Sequence, residues 1–139
     1  MARYMLDTDT CSYIMKRSNP AVLRRLRAVP VVDVCISVVT KAELLYGGEI
    51  SPRRNQDAAA VAAFLPHVDV LDFCGQAASD YAEILADLKR RGLPLGANDL
   101  LIAAHARSLG LTLVTNKTEE FGRVRGLRVE KWTQPRRRT

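Results

Sequence analysis

The sequence predicts an α/β fold, in which a parallel sheet carries helices on both faces. Short apolar and β-branched segments, typical of strands, alternate along the chain with longer segments whose apolar residues recur at helical spacing. The chain has 139 residues and shows no internal repeat or low-complexity linker, which fits one domain with one core. We expect a single domain at residues 1–133 and a flexible basic tail at residues 134–139.

The first half of the chain predicts two strands and four helices. Pro20 opens a helix, because proline is well tolerated in a first helical turn. The β-branched segment 31–38 is typical of a buried strand. In order, the predicted elements are strand 4–6, helix 11–16, the helix that starts at Pro20, strand 31–38, helix 40–46 closed by Gly47-Gly48, and helix 55–65.

The second half predicts three strands and two helices. Residues 77–91 form a long amphipathic segment with Tyr81, Ile84 and Leu88 on one side. A segment rich in glycine and proline, residues 92–96, separates this helix from a second, very apolar one. In order, the predicted elements are strand 68–73, helix 77–91, helix 99–109, strand 111–114 and strand 127–129.

Composition favours a cytoplasmic protein with a nucleic-acid partner. The net charge is +6, and most of the 21 basic residues are arginines, whose planar donors match phosphate oxygens. No apolar run approaches the ~20 residues that would span a bilayer. Charged residues interrupt the N-terminus before the apolar stretch of a signal peptide could form. We therefore expect no contact with a membrane.

Three carboxylates fall where predicted strands end or helices begin. Asp7 directly follows the first strand, Glu43 lies near the start of the helix after the second strand, and Asp99 opens the last long helix. In parallel α/β folds, ligands bind beyond the carboxyl ends of the strands. The segment TNKTEEF at residues 115–121 follows another strand and adds further oxygen ligands. The pattern predicts a cluster of acidic side chains at one edge of the sheet.

Each of these carboxylates also has a purely structural explanation. Asp7 or Asp9 could cap the helix that follows. Thr40 and Glu43 fit the T-x-x-E capping box, in which the glutamate bonds back to a backbone amide. Asp99 in a first turn would be stabilised by the helix dipole. These roles explain each residue alone, but they do not explain why all three fall at one edge.

Repulsion between gathered carboxylates predicts that a cation is bound among them. Oxygen ligands without Cys or His partners favour Mg²⁺ or Mn²⁺ over zinc. His67 lies in a helix–strand connection and His105 in the middle of a helix, and neither is expected to be a ligand. An acidic metal site in a basic protein is suited to the cleavage of a polyanion.

Three motifs resemble the VapC family of PIN-domain ribonucleases. They are LDTD at residues 6–9, ISVVTKAELLYG at residues 36–47 and GLPLGANDLLIAAHARSLGLTLVTNKTEEFGRVRGLRVEKW at residues 92–132. The resemblance covers nearly the whole chain and implies a Rossmann-like sheet and a Mg²⁺- or Mn²⁺-dependent endoribonuclease, the toxin of a type II toxin–antitoxin system. It also implies a homodimer that joins a VapB antitoxin in a hetero-oligomer, with the antitoxin's C-terminal segment covering the active site.

By position, the resemblance assigns the residues that bind metal and carry out catalysis. Asp7, Glu43 and Asp99 match the first three acidic residues of the family. Many members place an Asp directly after the strand in a T-x-D pattern, where this chain has Thr115-Asn116-Lys117. The members most similar to this chain carry an acidic residue just before the Phe. We therefore expect Glu120 to be the fourth ligand.

Four further residues are expected to support these carboxylates. Ser37 and Thr115 lie at strand ends, where their hydroxyls could bond the carboxylates or metal-bound waters. Asn116 is expected to position water or a ligand. Asp9 would either add negative charge to the site or cap a helix.

The resemblance also implies a reaction and a substrate. Water would attack the RNA phosphodiester in line and leave a 5′-phosphate and a 3′-hydroxyl. Relatives act on tRNA, including the anticodon loop of initiator tRNA, and a structured RNA held by shape and phosphates suits a basic surface. Candidate RNA contacts are Lys89, Arg90, Arg91 and the tail arginines at 136–138; a solvated helix end and tail is the alternative.

Two other functions remain open at this point. The sequence LDTDT at residues 6–10 also fits the hhDxDxT opening of haloacid-dehalogenase-type phosphohydrolases, with Asp7 as the nucleophile, although no catalytic-lysine segment or later paired-aspartate motif is evident. The second is a PIN-like module that binds RNA without cutting it. The complete set of Asp7, Glu43 and Asp99 argues against such a degenerate site.

Overall fold

The computed structural model describes residues 2–134, which form a five-stranded parallel sheet flanked by seven α-helices. The strand order in the sheet is β3-β2-β1-β4-β5. The predicted α/β class is therefore confirmed. The strands are β1 (Tyr4–Leu6), β2 (Val34–Ser37), β3 (Asp69–Leu71), β4 (Thr112–Val114) and β5 (Arg128–Glu130). The helices are α1 (Thr8–Lys16), α2 (Pro20–Ala28), α3 (Val38–Ile50), α4 (Arg54–Phe64), α5 (Gly75–Arg91), α6 (Ala97–Ser108) and α7 (Thr118–Phe121).

Two apolar cores lie on opposite faces of the sheet. Neighbouring residues of a strand point to opposite faces, so each central strand contributes to both cores. On one face, Met5, Cys35 and Leu113 pack against buried residues of α5, α6 and α7. On the other face, β-strand residues such as Leu6 pack against α1 to α4 and against Trp132. The helices therefore cover both faces of the sheet, as the sequence predicts.

The register of the sheet brings the ends of three strands level. Leu6 pairs with Ile36 of β2 and with Val114 of β4. The chain leaves these strands into α1, α3 and the segment before α7, so the N-terminal ends of those helices meet at one edge. We call it the carboxyl edge of the sheet. Asp7 and Thr115, each directly after its strand, lie on it.

The hairpin of α5 and α6 delivers a fourth element to the carboxyl edge. α6 runs back from this edge to the start of β4, so its first turn lies beside the strand ends. The Arg107 Nε donates to Asp80 Oδ2 at 2.8 Å, and both side chains are largely buried. This ion pair joins the last turn of α6 to α5.

The sequence misplaces the ends of α3. This helix begins at Val38 instead of residue 40 and continues through both glycines to Ile50 instead of ending at Gly47-Gly48. A Cβ at Gly48 would lie 3.3 Å from the Cα of Ala58. Gly48 therefore allows α3 and α4 to approach closely, and it does not end the helix.

The second predicted strand is also shorter than expected. Residues Val31–Asp33 form a 3₁₀ turn, and β2 begins only at Val34. Val31 and Val32 are exposed, so these β-branched residues are not part of the buried sheet.

Among the helices that the structure describes, none combines the length and the apolar character that a membrane span requires. The predicted basic tail, with the arginines at 136–138, lies almost wholly outside the described residues.

Candidate active site

Asp7 is a buried carboxylate at the end of β1. Its side chain is 2% exposed, and Oδ1 accepts a hydrogen bond from the Thr10 amide at 2.9 Å, so Asp7 caps α1. Burial raises the pKa of Asp7, and hydrogen bonds from Thr115 and Thr10 oppose this only in part. The prediction that Asp7 could cap the following helix is thus confirmed. Capping, however, does not require an almost fully buried carboxylate whose ionised form is disfavoured.

Glu43 is held by α1 and does not take part in a capping box. Ser37 is the N-cap of α3 and accepts a hydrogen bond from the Val39 amide at 3.1 Å, which places Glu43 in the second turn of the helix. The T-x-x-E interpretation is therefore wrong, because the helix starts earlier than that motif requires. Instead, the Thr8 hydroxyl donates to Glu43 Oε1 at 2.6 Å. A cavity of about 240 Å³ between α1, α3 and α4 leaves Glu43 accessible.

Asp99 forms an ion pair with a lysine from the loop after β4. It lies half-buried in the first turn of α6, and the Lys117 Nζ donates to its Oδ2 at 3.1 Å. The same Nζ lies 3.7 Å from Asp9 Oδ2. Burial lowers the pKa of Lys117, but the bond to Asp99 and the charges of Asp99, Asp9 and Asp7 outweigh it and raise the pKa above its usual value. The acidic side chains of the carboxyl edge are therefore already paired with one positive charge, the ammonium group of Lys117.

The fourth predicted ligand lies on the short helix α7. Phe121 is completely buried and anchors this helix, which leaves Glu120 half-buried and Glu119 exposed. α7 follows β4, so both glutamates belong to the carboxyl edge. The structure thus offers Glu120 as the less exposed of the two, and its role as a ligand stays a prediction.

The four supporting residues have more varied partners than predicted. Thr115 is buried, contributes a hydrogen bond that lowers the pKa of Asp7, and accepts the Lys117 amide at 2.9 Å. Asp9 adds charge beside Lys117 and is not the cap of α1. The hydroxyl of Ser37 is bonded to His105 Nδ1 at 2.8 Å, and Asn116 Oδ1 accepts from Thr133 Oγ1 at 2.8 Å. Ser37 and Asn116 therefore bond other groups than the carboxylates.

His105 links α6 to the start of α3 in the core. Its ring is fully buried, Nδ1 shares a hydrogen bond with the Ser37 hydroxyl at 2.8 Å, and Nε2 has no hydrogen-bond partner within residues 2–134. Burial lowers the pKa of His105, and Asp72 opposes this only in part. The imidazole is therefore neutral in the folded protein at neutral pH. It joins the helix of Asp99 to that of Glu43 through Ser37.

We expect His105 to make folding stability depend on pH. Its folded pKa lies below the unfolded value, so the unfolded chain binds the extra proton as the pH falls through about 6.5. Stability should be full above this pH and decline below it, as measured by thermal unfolding between pH 7.5 and 5.5. His105→Asn, whose amide can keep the bond to Ser37, should flatten this dependence. His67→Asn at the other, exposed histidine should not, and equal effects would contradict the assignment.

The donor set of the carboxyl edge suits a hard divalent cation. The acidic side chains Asp7, Glu43, Asp99 and Glu120 offer carboxylate oxygens, and one of them, Asp99, is already paired with the Lys117 ammonium group. Within residues 2–134, no three acidic, histidine or cysteine side chains converge closely enough to hold a metal ion together. The residues therefore fit such a cation chemically, and their side chains would have to move to enclose it.

Sequence reasoning missed two residues that organise this edge. Thr8 ties Glu43 to α1, yet in the sequence it is one of two threonines in a polar run and carries no distinctive signal. Lys117 did leave a signal, because a basic residue stands where many members of the resembled family have an aspartate. The sequence shows this difference, but only the distances in the structure show that Lys117 pairs with Asp99 and Asp9.

The candidate RNA contacts at the end of α5 are not equivalent. This helix ends at the loop that leads into α6, and hence near the carboxyl edge. Lys89 and Arg90 are exposed there. Arg91 is paired with Asp87 and also donates to the Arg123 carbonyl at 2.5 Å, so its guanidinium is already engaged. Lys89 and Arg90 are the better candidates.

Comparison with known proteins identifies the family. The model of the PIN domain matches residues 4–127. A relative named tRNA(fMet)-specific endonuclease VapC, from Shigella flexneri, is 44% identical over 96% of this chain and 100% of its own length. Ribonuclease VapC2 from Haemophilus influenzae is 41% identical over 95% of this chain and 99% of its own.

Solved structures of VapBC proteins also align with nearly the whole of this chain. DNA-bound VapBC from Salmonella typhimurium aligns with a TM-score of 0.89 at 40% identity, covering 95% of this chain and 99% of the other. VapBC2 from Rickettsia felis, bound to a DNA fragment from its promoter, aligns with a TM-score of 0.86 at 34% identity, covering 93% and 98%. Sequence and fold thus agree over nearly the whole chain, which belongs to the VapC family of PIN-domain ribonucleases.

Proposed function

We propose that this chain is the toxin of a VapBC pair, a Mg²⁺- or Mn²⁺-dependent endoribonuclease that cuts tRNA and thereby stops translation. The observation that carries the proposal is the carboxyl edge, where Asp7 at the end of β1, Glu43 of α3 and Asp99 of α6 lie and where Asp99 is already paired with the Lys117 ammonium group. Charge supports it, since this acidic edge belongs to a protein of net charge +6.

The metal would be held by the acidic residues of this edge. Asp7 and Asp99 are the main candidates, and Glu43 and Glu120 would complete the set. A divalent cation bound there would polarise the attacking water and offset the charge that develops on the phosphate. Thr8 orients Glu43 by its 2.6 Å hydrogen bond, and the Thr10 amide orients Asp7 by its bond at 2.9 Å. These two bonds keep the carboxylates from turning away from the edge.

The rest of the surface would hold the polyanionic substrate. Lys89 and Arg90 lie exposed at the end of α5 and would contact phosphates of the RNA. Water attacking in line would leave a 5′-phosphate and a 3′-hydroxyl, because the ribose 2′-hydroxyl takes no part. Such contacts recognise the shape of a structured RNA more than its sequence.

The substrate and partners are proposed from the relatives. The relative from Shigella flexneri is named a tRNA(fMet)-specific endonuclease, so initiator tRNA is the first substrate to test. The structural neighbours named VapBC lead us to propose a VapB-type antitoxin and a toxin–antitoxin hetero-oligomer. The resemblance to the VapC family leads us to propose a homodimer of this chain. A protein that cuts tRNA would act in the cytoplasm. The phosphohydrolase alternative does not hold, because the chain belongs to a different family.

Cleavage of purified initiator tRNA tests the proposal. Protein freed of antitoxin should cut initiator tRNA with Mg²⁺ or Mn²⁺, lose this activity in EDTA, and regain it when the metal is restored. Elongator methionine tRNA serves as the matched control RNA. The new 5′ ends should accept an adaptor by direct ligation, as 5′-phosphates do.

Two results would contradict the proposal in different ways. Cleavage that continues in EDTA and leaves a 2′,3′-cyclic phosphate would mean that the ribose hydroxyl is the nucleophile. Binding of tRNA with no fragments after long incubation in Mg²⁺ or Mn²⁺ would instead favour a module that binds RNA without cutting it.

A further inference from the structure

We propose that Lys117 is an internal counter-cation that competes with the divalent cation for Asp99 and Asp9, and so weakens metal binding. The inference rests on the proposed metal dependence of the site. It concerns a residue at which this chain departs from the T-x-D pattern of many PIN domains.

The geometry places one ammonium group between two carboxylates. Lys117 Nζ lies 3.1 Å from Asp99 Oδ2 and 3.7 Å from Asp9 Oδ2. These oxygens come from α6 and α1, so a single positive charge joins two elements that would otherwise present like charges to each other. A divalent cation that used Asp99 Oδ2 would have to take the place of the ammonium group.

Two hydrogen bonds hold the backbone of Lys117 in place. Its amide donates to Thr115 Oγ1 at 2.9 Å, and its carbonyl accepts from the Phe121 amide at 3.1 Å. Both partners are buried residues. The Cα is thereby held beside the acidic edge, while the side chain is 41% exposed and can swing into solvent when a stronger cation arrives.

Lys117 therefore has opposite effects on the two states of the site. In metal-free protein it reduces the repulsion between Asp9 and Asp99. When metal binds, the ion pair must break and the displaced ammonium group stays close to the cation. An ion pair of this exposure is modest, so we expect its removal to tighten metal binding by about two- to fivefold.

Titration of Mn²⁺ into metal-free protein tests the inference without measuring nuclease activity. Mn²⁺ affinity is read by calorimetry and by the loss of the free-ion electron paramagnetic resonance signal. Lys117→Met keeps a long side chain without its charge, and Lys117→Gln is a second neutral variant. Lys117→Arg keeps the charge. Arg3→Gln removes a positive charge from the Arg3–Asp33 pair at the opposite edge of the sheet.

The neutral variants should bind Mn²⁺ about two- to fivefold more tightly, while Lys117→Arg and Arg3→Gln stay close to the parent protein. Neutral variants should also unfold at a lower temperature in EDTA and gain more from Mn²⁺. Parent protein that binds Mn²⁺ with the same affinity as both neutral variants would overturn the role of Lys117 and leave the proposed metal dependence standing. Failure of every variant and of the parent to bind Mn²⁺ would overturn both.

Discussion

Replacement of Asp7 by Asn is expected to slow RNA cleavage strongly and to raise the stability of the metal-free protein. Asn is as good a helix cap as Asp, so the bond from the Thr10 amide survives. The exchange removes a carboxylate that is 2% exposed and whose pKa is raised by burial. A buried charge without a cation costs folding free energy, and its neutral isostere avoids that cost. The catalytic loss follows because an amide neither binds a hard cation strongly nor offsets its charge.

The measured effects should move in opposite directions. Loss of one metal ligand removes several kcal/mol of transition-state stabilisation, which corresponds to roughly 10³-fold in cleavage rate. The unfolding temperature in EDTA at pH 7.5 should rise above that of the parent. Asp33→Asn, at the opposite edge of the sheet, is the matched control and should leave the rate unchanged. A variant that loses activity only because it unfolds at a lower temperature would contradict this account of Asp7.

The fold was predictable because its signals are local. The alternation of strands and helices follows from apolar periodicity, and the start of α2 follows from Pro20, and both signals act within a few residues. The ends of α3 were not predictable in the same way. Gly48 is typical of a helix end, and only the approach of Ala58 from α4 shows that it is there for packing. That contact belongs to the tertiary structure.

The sequence predicts at which edge of the sheet the candidate site lies, but it does not predict the hydrogen-bond and ion-pair partners of each carboxylate. The rule for parallel sheets places Asp7 and Asp99 on the same side without any coordinates. The partners of each carboxylate depend on loops that cross between elements. Thus Glu43 bonds Thr8 from α1, Asp99 bonds Lys117 from the loop after β4, and Ser37 bonds His105. Such pairs lie 18 to 68 residues apart, where sequence spacing carries no information about distance.

Trp132 shows that the folded unit extends beyond the region matched by the family model. That match ends at residue 127, yet Trp132 is 1% exposed and belongs to the core beneath α1 to α4. Its ring meets Tyr4 of β1 edge to face, with centroids 5.4 Å apart, and the Arg25 guanidinium of α2 lies 5.4 Å from its centroid. Its Nε1 donates to Glu130 Oε1, which also pairs with Arg25. One side chain thus joins β1, α2 and β5.

Truncation of this side chain by Trp132→Ala should therefore destabilise the whole domain. Loss of a fully buried aromatic ring costs about 3–5 kcal/mol, a large share of the roughly 5–15 kcal/mol that stabilises a domain. The free energy of unfolding in urea measures the loss directly. Trp132→Phe should recover part of it, because a ring still fills the space, although the bond to Glu130 is gone. Tyr46→Ala removes an aromatic ring that is 65% exposed and should change stability by less than about 0.5 kcal/mol. Equal losses in the two alanine variants would mean that Trp132 lies at the periphery of the core, and that β5 and α2 are held by other contacts.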